Sequence, residues 1–455
     1  MRVKQETNQQ ELVLTASARV KPEARASQRT ETLTAGSDPE SQAGNEQLME
    51  VMLERENLIQ ALKRVEENKG AGGVDGMHVK ELRGYLKQHW PELRGRLLSG
   101  NYEPQPVRRG EIPKAGGGTR KLGIPTVVDR FIQQAMLQVL QSDWDRTFSE
   151  YSYGFRPGRT AHQAIAQAQE YINAGYKVVV DIDLEKFFDR VNHDVLMSRV
   201  ARRVSDKRVL KLIRAYLNSG VLENGLVSPT EEGTPQGGPL SPLLSNLLLD
   251  ELDRELERRG HRFVRYADDC NIYVQSERAG ERVMEGLKRF LMRRLRLKVN
   301  EQKSAVGKPS ERKFLGYSFT SETKARRRIA PKSVERFKER VRHLTRRGKT
   351  LQRVVTELNR YLRGWVGYFG RTECPSQLRE LDGWVRRRLR RYVWRAWQRP
   401  QRRYRILRRH GISPRHAWRV VHFGPWRASI SKALTCVLPN AYFRALRLYS
   451  LSTHS

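Results

Sequence analysis

The sequence has few cysteines, no long apolar run and a shortage of acidic residues. Its three cysteines, Cys270, Cys374 and Cys436, lie far apart and form no Cys-x-x-Cys pair or Cys/His cluster, which excludes a conventional zinc site or disulfide framework. Isolated cysteines fit a reducing compartment. No apolar run has the length of a membrane span, and the N-terminus lacks the apolar core of a secretion signal. We therefore expect a cytoplasmic protein that does not use a membrane.

The excess of basic residues is the strongest feature of the composition. The 455 residues include 86 Lys and Arg but only 50 Asp and Glu, which gives a net charge of +36. Such a surface repels itself unless it meets a polyanion, and neutralised phosphates release counterions that favour binding. Nucleic acid is the expected partner, and a merely basic or ribosome-associated protein is the alternative. The length indicates two or three domains.

The first third of the chain contains a polar tail followed by helical segments. Residues 1–46 are rich in Gln, Thr, Ser, Ala and Glu, a composition typical of a disordered tail. Apolar spacing predicts helices over 48–65 and near 79–99 and 127–142. The glycine-rich turn within 112–120 is bounded by basic residues and predicts a hairpin.

Acidic residues stand at the ends of predicted strands in the middle of the chain. Residues 177–183 predict a buried strand that ends in carboxylates, and 262–275 predict two strands joined by a turn that carries Asp268 and Asp269. Between them, Ser241 is expected to cap a leucine-rich helix whose first helical position is Pro242. After about residue 323 only basic helices are expected.

Carboxylates placed in this way suit the transfer of nucleotides. A primer 3′-hydroxyl attacks an α-phosphate, and two metal ions about 4 Å apart stabilise the attacking and leaving oxygens. Mg²⁺ prefers carboxylate oxygens, so two or three Asp residues on neighbouring strands are needed. Asp181 and Asp183 share one strand face, and their spacing leaves open which one binds metal. In isolation, an Asp-Asp pair favours an ordinary turn and Asp183 a helix cap.

Several sequence blocks resemble those of one enzyme family in their order. Tyr266-Ala267-Asp268-Asp269 resembles the YxDD signature of reverse transcriptases. With alanine in its second position, the motif resembles that of the group II intron-encoded class. The resemblance covers roughly residues 48–450 and is closest to the compact group IIC proteins of bacteria. The further matching blocks are IPKAGGGTRKLGIP (112–125), YGFRPGR (153–159), VVVDIDLEKFFD (178–189), GTPQGGPLSPLL (233–244), LKVNEQKS (297–304), FLGYSF (314–319) and, in the maturase or X domain, RGWVGYF (363–369).

The resemblance implies an α+β right-hand polymerase fold and a set of site residues. Asp183, Asp268 and Asp269 would be the catalytic ligands of two Mg²⁺ ions, with Asp181 a bystander or a supporting group. Phe188 would exclude the 2′-hydroxyl of a ribonucleotide. The residues expected to bind the nucleotide are Lys114, Arg120, Phe188, Gln236 and Lys303.

The resemblance also implies a domain order. Residues 47–322 would form fingers and palm, 323–410 an all-helical thumb and maturase domain, and 411–455 a basic DNA-binding segment. Residues 386–409 hold twelve Arg and no acid, so phosphate contact is expected there, whereas Trp365, Trp384 and Trp394 are expected in the core. The arginines predicted to bind nucleic acid are Arg386, Arg387, Arg388, Arg390, Arg391 and Arg395.

The implied function is an RNA-directed DNA polymerase encoded by a group II intron. Its expected partners are intron RNA as template and splicing substrate, a DNA target or primer, and dNTPs. Splicing assistance and intron mobility by target-primed reverse transcription would follow. Cys436 stands alone where many relatives carry paired Cys and His, so no endonuclease domain is expected. The alternatives are a free-standing reverse transcriptase of DNA repair or phage defence, and a maturase that only assists splicing.

Overall fold

The structure is a computed structural model that describes residues 46–113, 119–223, 226–228, 232–234 and 237–454. The predicted tail therefore lies almost entirely outside the described residues. Contacts divide the described chain into two units, one ending at Lys308 and one beginning at Pro309. In the part of the chain that is described, no helix combines the length and apolarity needed to cross a membrane.

The first unit mixes helices and strands, as expected for an α+β fold. Its helices surround two sheets, and apolar residues from nearly every helix join one continuous core. The predicted helices over 48–65, 79–99 and 127–142 are confirmed. The helices are α1 (Leu48–Met52), α2 (Arg55–Asn68), α3 (Leu82–Leu98), α4 (Val127–Trp144), α5 (Ala161–Asn173), α6 (His193–Val200), α7 (Lys207–Asn218), α8 (Ser241–Arg258) and α9 (Glu277–Phe290).

One sheet of this unit contains the predicted basic hairpin. Strands β1 (Val107–Pro113) and β2 (Thr119–Ile124) pair antiparallel, with Ile112 opposite Arg120. β4 (Val221–Glu223) runs parallel to β1 and pairs with β5 (Leu226–Ser228). The pairing of the hairpin strands is confirmed, while its turn at 114–118 lies outside the described residues.

The second sheet has the strand order β6-β7-β3-β8 in the described chain, with every neighbouring pair antiparallel. These strands are β3 (Val178–Ile182), β6 (Arg262–Tyr266), β7 (Asp269–Val274) and β8 (Ala305–Gly307). Both strand regions predicted from the sequence are confirmed. The valines of β3 are buried, and β-branched residues of this kind are favoured in the central strand of a sheet.

Helices α8 and α9 cover one face of this second sheet. A Cβ at Gly280 of α9 would lie 2.5 Å from a methyl group of Val306 and 3.3 Å from one of Val180. The helix can therefore approach the sheet this closely only with glycine at that position. α8 begins at Ser241 with Leu240 as its N-cap residue, so the prediction that Ser241 caps the helix is wrong by one position.

The second unit is mainly helical. Its core is built from α10 to α12 and the short helices that follow. Its helices are α10 (Pro331–Leu344), α11 (Leu351–Phe369), α12 (Pro375–Ala396), α13 (Pro400–Arg409), α14 (Pro414–Val421), α15 (Pro425–Ile430), α16 (Lys432–Val437) and α17 (Asn440–Ala445).

The expectation of helices alone after residue 323 is wrong at one place. β10 (Arg327–Ile329) pairs antiparallel with β9 (Tyr317–Phe319). The hydroxyl of Tyr317 also donates to the carbonyl of Tyr368 at 2.6 Å. The contacts group the chain from Pro309 onward with the helical unit, whereas the sequence predicts fingers and palm up to residue 322. The predicted domain boundaries otherwise stay predictions.

Candidate active site

The register of the second sheet brings the predicted carboxylates to one edge. Ile182, the last residue of β3, lies opposite Cys270 of β7, so Asp183 follows opposite Asp269. Side chains opposite each other in an antiparallel pair share a face, and alternate residues share it too. Asp183 and Asp269 therefore lie on the face away from α8 and α9. Asp269 is exposed, and Asp183 is partly exposed.

Asp268 lies in the two-residue turn between β6 and β7. The turn requires a left-handed backbone at Ala267, whose φ is +57°. A second constraint comes from Gly154, because a Cβ there would lie 2.2 Å from the backbone nitrogen of Ala267. The segment around Gly154 also bonds to β6, since the Tyr153 nitrogen donates to the Arg265 carbonyl at 2.9 Å. Glycine at 154 thus lets two backbones touch at the turn.

A buried arginine holds this turn from the other side of the sheet. Arg265 of β6 is fully buried, and its guanidinium forms a two-pronged ion pair with Asp253 of α8 at 2.7 and 2.5 Å. The remaining nitrogen, Nη1, donates to the carbonyl of Ala267 at 2.9 Å and to Asn246 at 3.0 Å. Asn246 in turn donates to the carbonyl of Gly154 at 2.8 Å. We call Arg265, Asp253 and Asn246 the turn network.

The turn network lies in a region where charge is costly. Burial raises the pKa of Asp253, and Arg265 opposes that rise by its charge and its hydrogen bonds. Burial also raises the pKa of the neighbouring Cys270 thiol, so this cysteine packs as a neutral side chain. Hydrogen bonds that involve charged groups are stronger than neutral ones, and a dry site strengthens them further. The network is therefore a rigid support for the turn.

Asp183 has its own support from the loop before β8. The Asp183 nitrogen donates to Ser304 Oγ at 2.9 Å, and its carbonyl accepts from the Asn300 nitrogen at 2.8 Å. Lys303 Nζ lies 3.5 Å from Asp183 Oδ1. Lys303 was expected to bind the nucleotide, and its ammonium group lies beside a predicted metal ligand.

Asp181 lies on the same face of β3 as Asp183, two residues further from the turn. It is directly opposite Asn271, and with the amide of Asn271 turned to face the carboxylate, the nitrogen donates to Asp181 Oδ1 at 3.1 Å. This contact is consistent with the prediction that Asp181 is a supporting group.

The donor set at this edge suits a hard divalent cation. Asp183, Asp268 and Asp269 offer only carboxylate oxygens, which Mg²⁺ prefers, and they come from a strand end and an adjacent turn. Among the described residues no three His, Cys, Asp or Glu side chains are already gathered into a metal-binding group. The fit therefore rests on the chemistry of the donors and on the strand register.

A cavity of about 200 Å³ lies where Phe188 meets the hairpin of the first sheet. Phe188 is partly buried, and its ring packs edge-on against the buried Phe187 with the centroids 5.1 Å apart. Arg109 of β1 and Lys121 of β2 also line the cavity. Both cations lie near Glu223, at 3.3 and 3.9 Å. The cavity thus combines an aromatic wall with two cations and two acidic residues, Asp189 and Glu232.

Three predicted nucleotide contacts fall where the structure gives no side chain. Lys114 and Gln236 lie outside the described residues, and only the backbone of Arg120 is described, in β2. The residue two before Gln236 is fixed, because the Thr234 nitrogen donates to the Phe188 carbonyl at 2.7 Å. Thr234 also lines the Phe188 cavity.

The predicted nucleic-acid-binding arginines of α12 do not form one surface. Arg390 is buried, where it donates to the Leu438 carbonyl at 2.9 Å and lies over the ring of Phe443. Arg388 donates to Thr345 at 2.9 Å. We therefore leave Arg390 out of the proposed surface, because its charge is used inside the protein. The predicted arginines that are exposed or partly exposed are Arg386, Arg387, Arg388, Arg391 and Arg395.

The spacing of two polar residues on α8 could have indicated the turn network from the sequence. Asn246 and Asp253 are seven residues apart on the leucine-rich helix α8, and Leu249 between them is buried as well. Polar residues at helical spacing on an apolar face require buried partners. The burial of Arg265 could not be predicted in the same way, because an arginine in so basic a chain is expected to contact phosphate.

We predict that the Arg265–Asp253 pair behaves as one unit in unfolding. Arg265→Met and Asp253→Leu alone should each lower the free energy of unfolding by about 3–5 kcal/mol, because each leaves a buried charge unpaired. The double variant should be more stable than either single variant, since it buries no charge. Urea unfolding of the three variants measures this. A double variant that loses the sum of the two single losses would contradict it.

Comparison with known proteins agrees with this geometry. Residues 112–319 match the family described as "Reverse transcriptase (RNA-dependent DNA polymerase)". Residues 334–411 match "Group II intron, maturase-specific domain". The first match contains both carboxylate-bearing strands, and the second contains most of α10 to α13.

Curated relatives point the same way. Protein YkfC of Escherichia coli (strain K12) is 40% identical over 220 residues, which cover 47% of this chain and 58% of YkfC. The group II intron-encoded protein LtrA of Lactococcus lactis subsp. cremoris is 29% identical over 325 residues, 57% of this chain and 54% of LtrA. The putative COX1/OXI3 intron 2 protein of Saccharomyces cerevisiae is 30% identical over 216 residues, 47% of this chain and 25% of that protein.

The chain thus spans little more than half the length of the first two relatives. The two matches follow the expected order; the first covers the three candidate aspartates and the second covers part of the helical unit. The resemblance to the group IIC class in particular stays a prediction. The chain belongs to the family of group II intron reverse transcriptases with a maturase domain.

Proposed function

We propose that this protein is an RNA-directed DNA polymerase that copies the RNA of its own intron and helps that RNA to splice. The observation that carries the proposal is the register that pairs Ile182 with Cys270, the residues next to Asp183 and Asp269, beside a turn that the Arg265 network supports. These residues lie within the reverse transcriptase match. The match to the maturase-specific domain favours an intron protein over a free-standing enzyme of repair or defence.

The reaction joins the primer 3′-oxygen to the α-phosphorus of a dNTP and breaks the bond to pyrophosphate. Reverse transcriptases generally use divalent metal ions, and Asp183, Asp268 and Asp269 would hold two Mg²⁺ here. Bound Mg²⁺ supplies charge stabilisation for the attacking and leaving oxygens. The work of the protein is to keep the three carboxylates in place, and the turn network and the Ser304 contact would serve this by holding the backbone at Ala267 and Asp183.

The remaining predicted residues divide between the sugar and the triphosphate. Phe188 offers a partly exposed aromatic wall to the sugar. Cations of the hairpin neutralise the triphosphate, and Arg109 and Lys121 join the predicted Lys114 and Arg120 in this role. Gln236 would contact the incoming nucleotide. Lys303 beside Asp183 is positioned to balance the charge of departing pyrophosphate.

The partners follow from the same assignment. Intron RNA would serve as template and splicing substrate, and a DNA end at the target would serve as primer. The exposed arginines of α12 and the basic residues after 411 would contact nucleic acid. Their contribution should depend on salt, because each neutralised phosphate releases counterions.

We predict that Asp268→Asn abolishes extension of a DNA primer on an RNA template with dNTPs and Mg²⁺, because the amide removes the charge that attracts the metal. Asp181→Asn is the matched control, since Asp181 lies on the same strand face but further from the turn. It should reduce extension much less. Melting temperatures should show that both variants are folded.

Equal losses in the two variants would contradict the assignment of Asp268 over Asp181. A folded wild type that binds RNA but extends no primer would instead support a maturase that only assists splicing.

We predict that Phe188→Ala admits ribonucleotides. Removal of the ring should lower the preference for dNTP over rNTP by roughly 10- to 200-fold, the discrimination that one small group in a packed pocket provides. Phe188→Tyr keeps the bulk and should keep the preference. The ratio of kcat/KM values for the two nucleotides measures this. An unchanged ratio in Phe188→Ala would remove Phe188 as the residue that selects the sugar.

A further inference from the structure

A groove of about 570 Å³ lies between helices α10 and α12 of the second unit. It belongs to a different unit from the palm carboxylates, and nothing in the proposed polymerase chemistry uses it. The residues of the groove that bear on its ligand are Val334 and Lys338 of α10 and Arg379, Gly383, Trp384 and Arg387 of α12.

Trp384 distinguishes this groove from the rest of the helical core. The sequence favours a core position for three tryptophans, and Trp394 and Trp365 are indeed buried, with 0% and 8% exposure. Trp384 is only partly buried and lines the open groove. Lys338 Nζ and the guanidinium carbon of Arg342 lie 5.9 and 5.6 Å from its ring centroid. Cations near the ring and an accessible aromatic surface therefore occur together.

Gly383 keeps the space beside Trp384 open. It lies within α12, where glycine weakens a helix, and its backbone does not have a positive φ. A Cβ at this position would meet only Arg387, at 3.9 Å. Neither packing nor backbone conformation thus requires glycine here. The absence of a side chain leaves the groove open at a position next to Trp384 in the chain, and both residues line it.

The charge around the groove specifies a polyanion. From Gly383 to Ser455 the sequence contains eighteen Arg and Lys and no Asp or Glu. Glu380 lines the groove, but three cations, Lys338, Arg379 and Arg387, line it too. An aromatic surface with flanking cations is the combination that proteins use for unpaired nucleotides, whose base stacks while the phosphate pairs with Lys or Arg.

We propose that this groove binds one unpaired nucleotide of the intron RNA. The base lies against Trp384 above Gly383, and Arg387 and Lys338 bind its phosphates. All of these residues fall within the match to the maturase-specific domain, residues 334–411, which is why we assign RNA. The inference rests on the proposed function only for the identity of that RNA.

Gly383→Leu tests the proposal most cleanly, because it fills the groove, removes no charge and strengthens the helix. We expect the variant of the full chain to bind a fluorescein-labelled single-stranded RNA roughly 5- to 100-fold more weakly, the range for loss of one stacked base. Trp384→Ala should lose a similar factor. Trp90→Ala is the control, since Trp90 of α3 is partly buried like Trp384 but lies in the first unit, outside the groove.

Two further binding measurements distinguish loss of the nucleotide site from general damage to the fold. Binding of a blunt RNA duplex should stay unchanged in Gly383→Leu, because a duplex has no unpaired base. Arg387→Gln should reduce the slope of log Kd against log salt by about one phosphate contact, and Gly383→Leu should leave that slope as in wild type.

Three results would overturn the proposal. The first is wild-type affinity of Gly383→Leu and Trp384→Ala for single-stranded RNA. The second is an equal loss of duplex and single-stranded binding. The third is an equal loss with single-stranded DNA of the same sequence, which would remove the assignment to RNA. Primer extension is measured separately in the same preparations, so a protein that extends no primer contradicts the polymerase assignment and leaves the groove measurement valid.

Discussion

The ion pair between Arg265 and Asp253 is the interaction on which the proposed active site depends. A polymerase of this kind needs its carboxylates held at the β6–β7 turn and at the end of β3. Arg265 supports the turn from beneath, because it bonds to the carbonyl of Ala267 while Asp253 and Asn246 fix its guanidinium. The arginine is buried, so the pair cannot be broken without leaving a charge in an apolar core. The position of the turn is thereby linked to the stability of the palm.

The two sides of the candidate metal site are supported independently. The turn that carries Asp268 depends on α8 and on the close approach of Gly154. Asp183 depends on the loop before β8, through Ser304 and Asn300. The sheet register then aligns the two supports, since a shift by one residue would move every carboxylate to the opposite face. Three carboxylates that share one cation site would repel one another when no cation is bound, and the supports on both sides oppose their separation.

The sequence predicted the strands and the turn on which the three candidate aspartates lie, and the structure confirms those strands. The roles of the aspartates as metal ligands stay predictions. Asp183, Asp268 and Asp269 were identified from strand patterns and a matching block, and the structure places their strands side by side. The supports were not predicted, because Arg265 pairs with residues of α8 that are distant in the chain, and the excess of arginine conceals one that is buried. For the same reason, the buried Arg390 was predicted to bind nucleic acid.

β10 was missed because three residues are too few for a period-two pattern to be seen. The partial exposure of Trp384 depends on how α10 packs against α12. The spacing of apolar residues within α12 cannot predict that packing.

Hydrogen exchange in the β6–β7 hairpin tests most directly whether the turn network positions the turn. Asn246→Ala removes the bonds to Arg265 and Gly154 without leaving a charge unpaired. Asn57→Ala is the matched control, since the side chain of Asn57 bonds to the carbonyls of Met52 and Ala135, outside the turn network. We expect peptides from 262–274 to exchange faster in Asn246→Ala than in wild type, with the hairpin unchanged in Asn57→Ala. Wild-type exchange of the hairpin in Asn246→Ala would show that the turn is held by its own strands, and would contradict the central role given to the network.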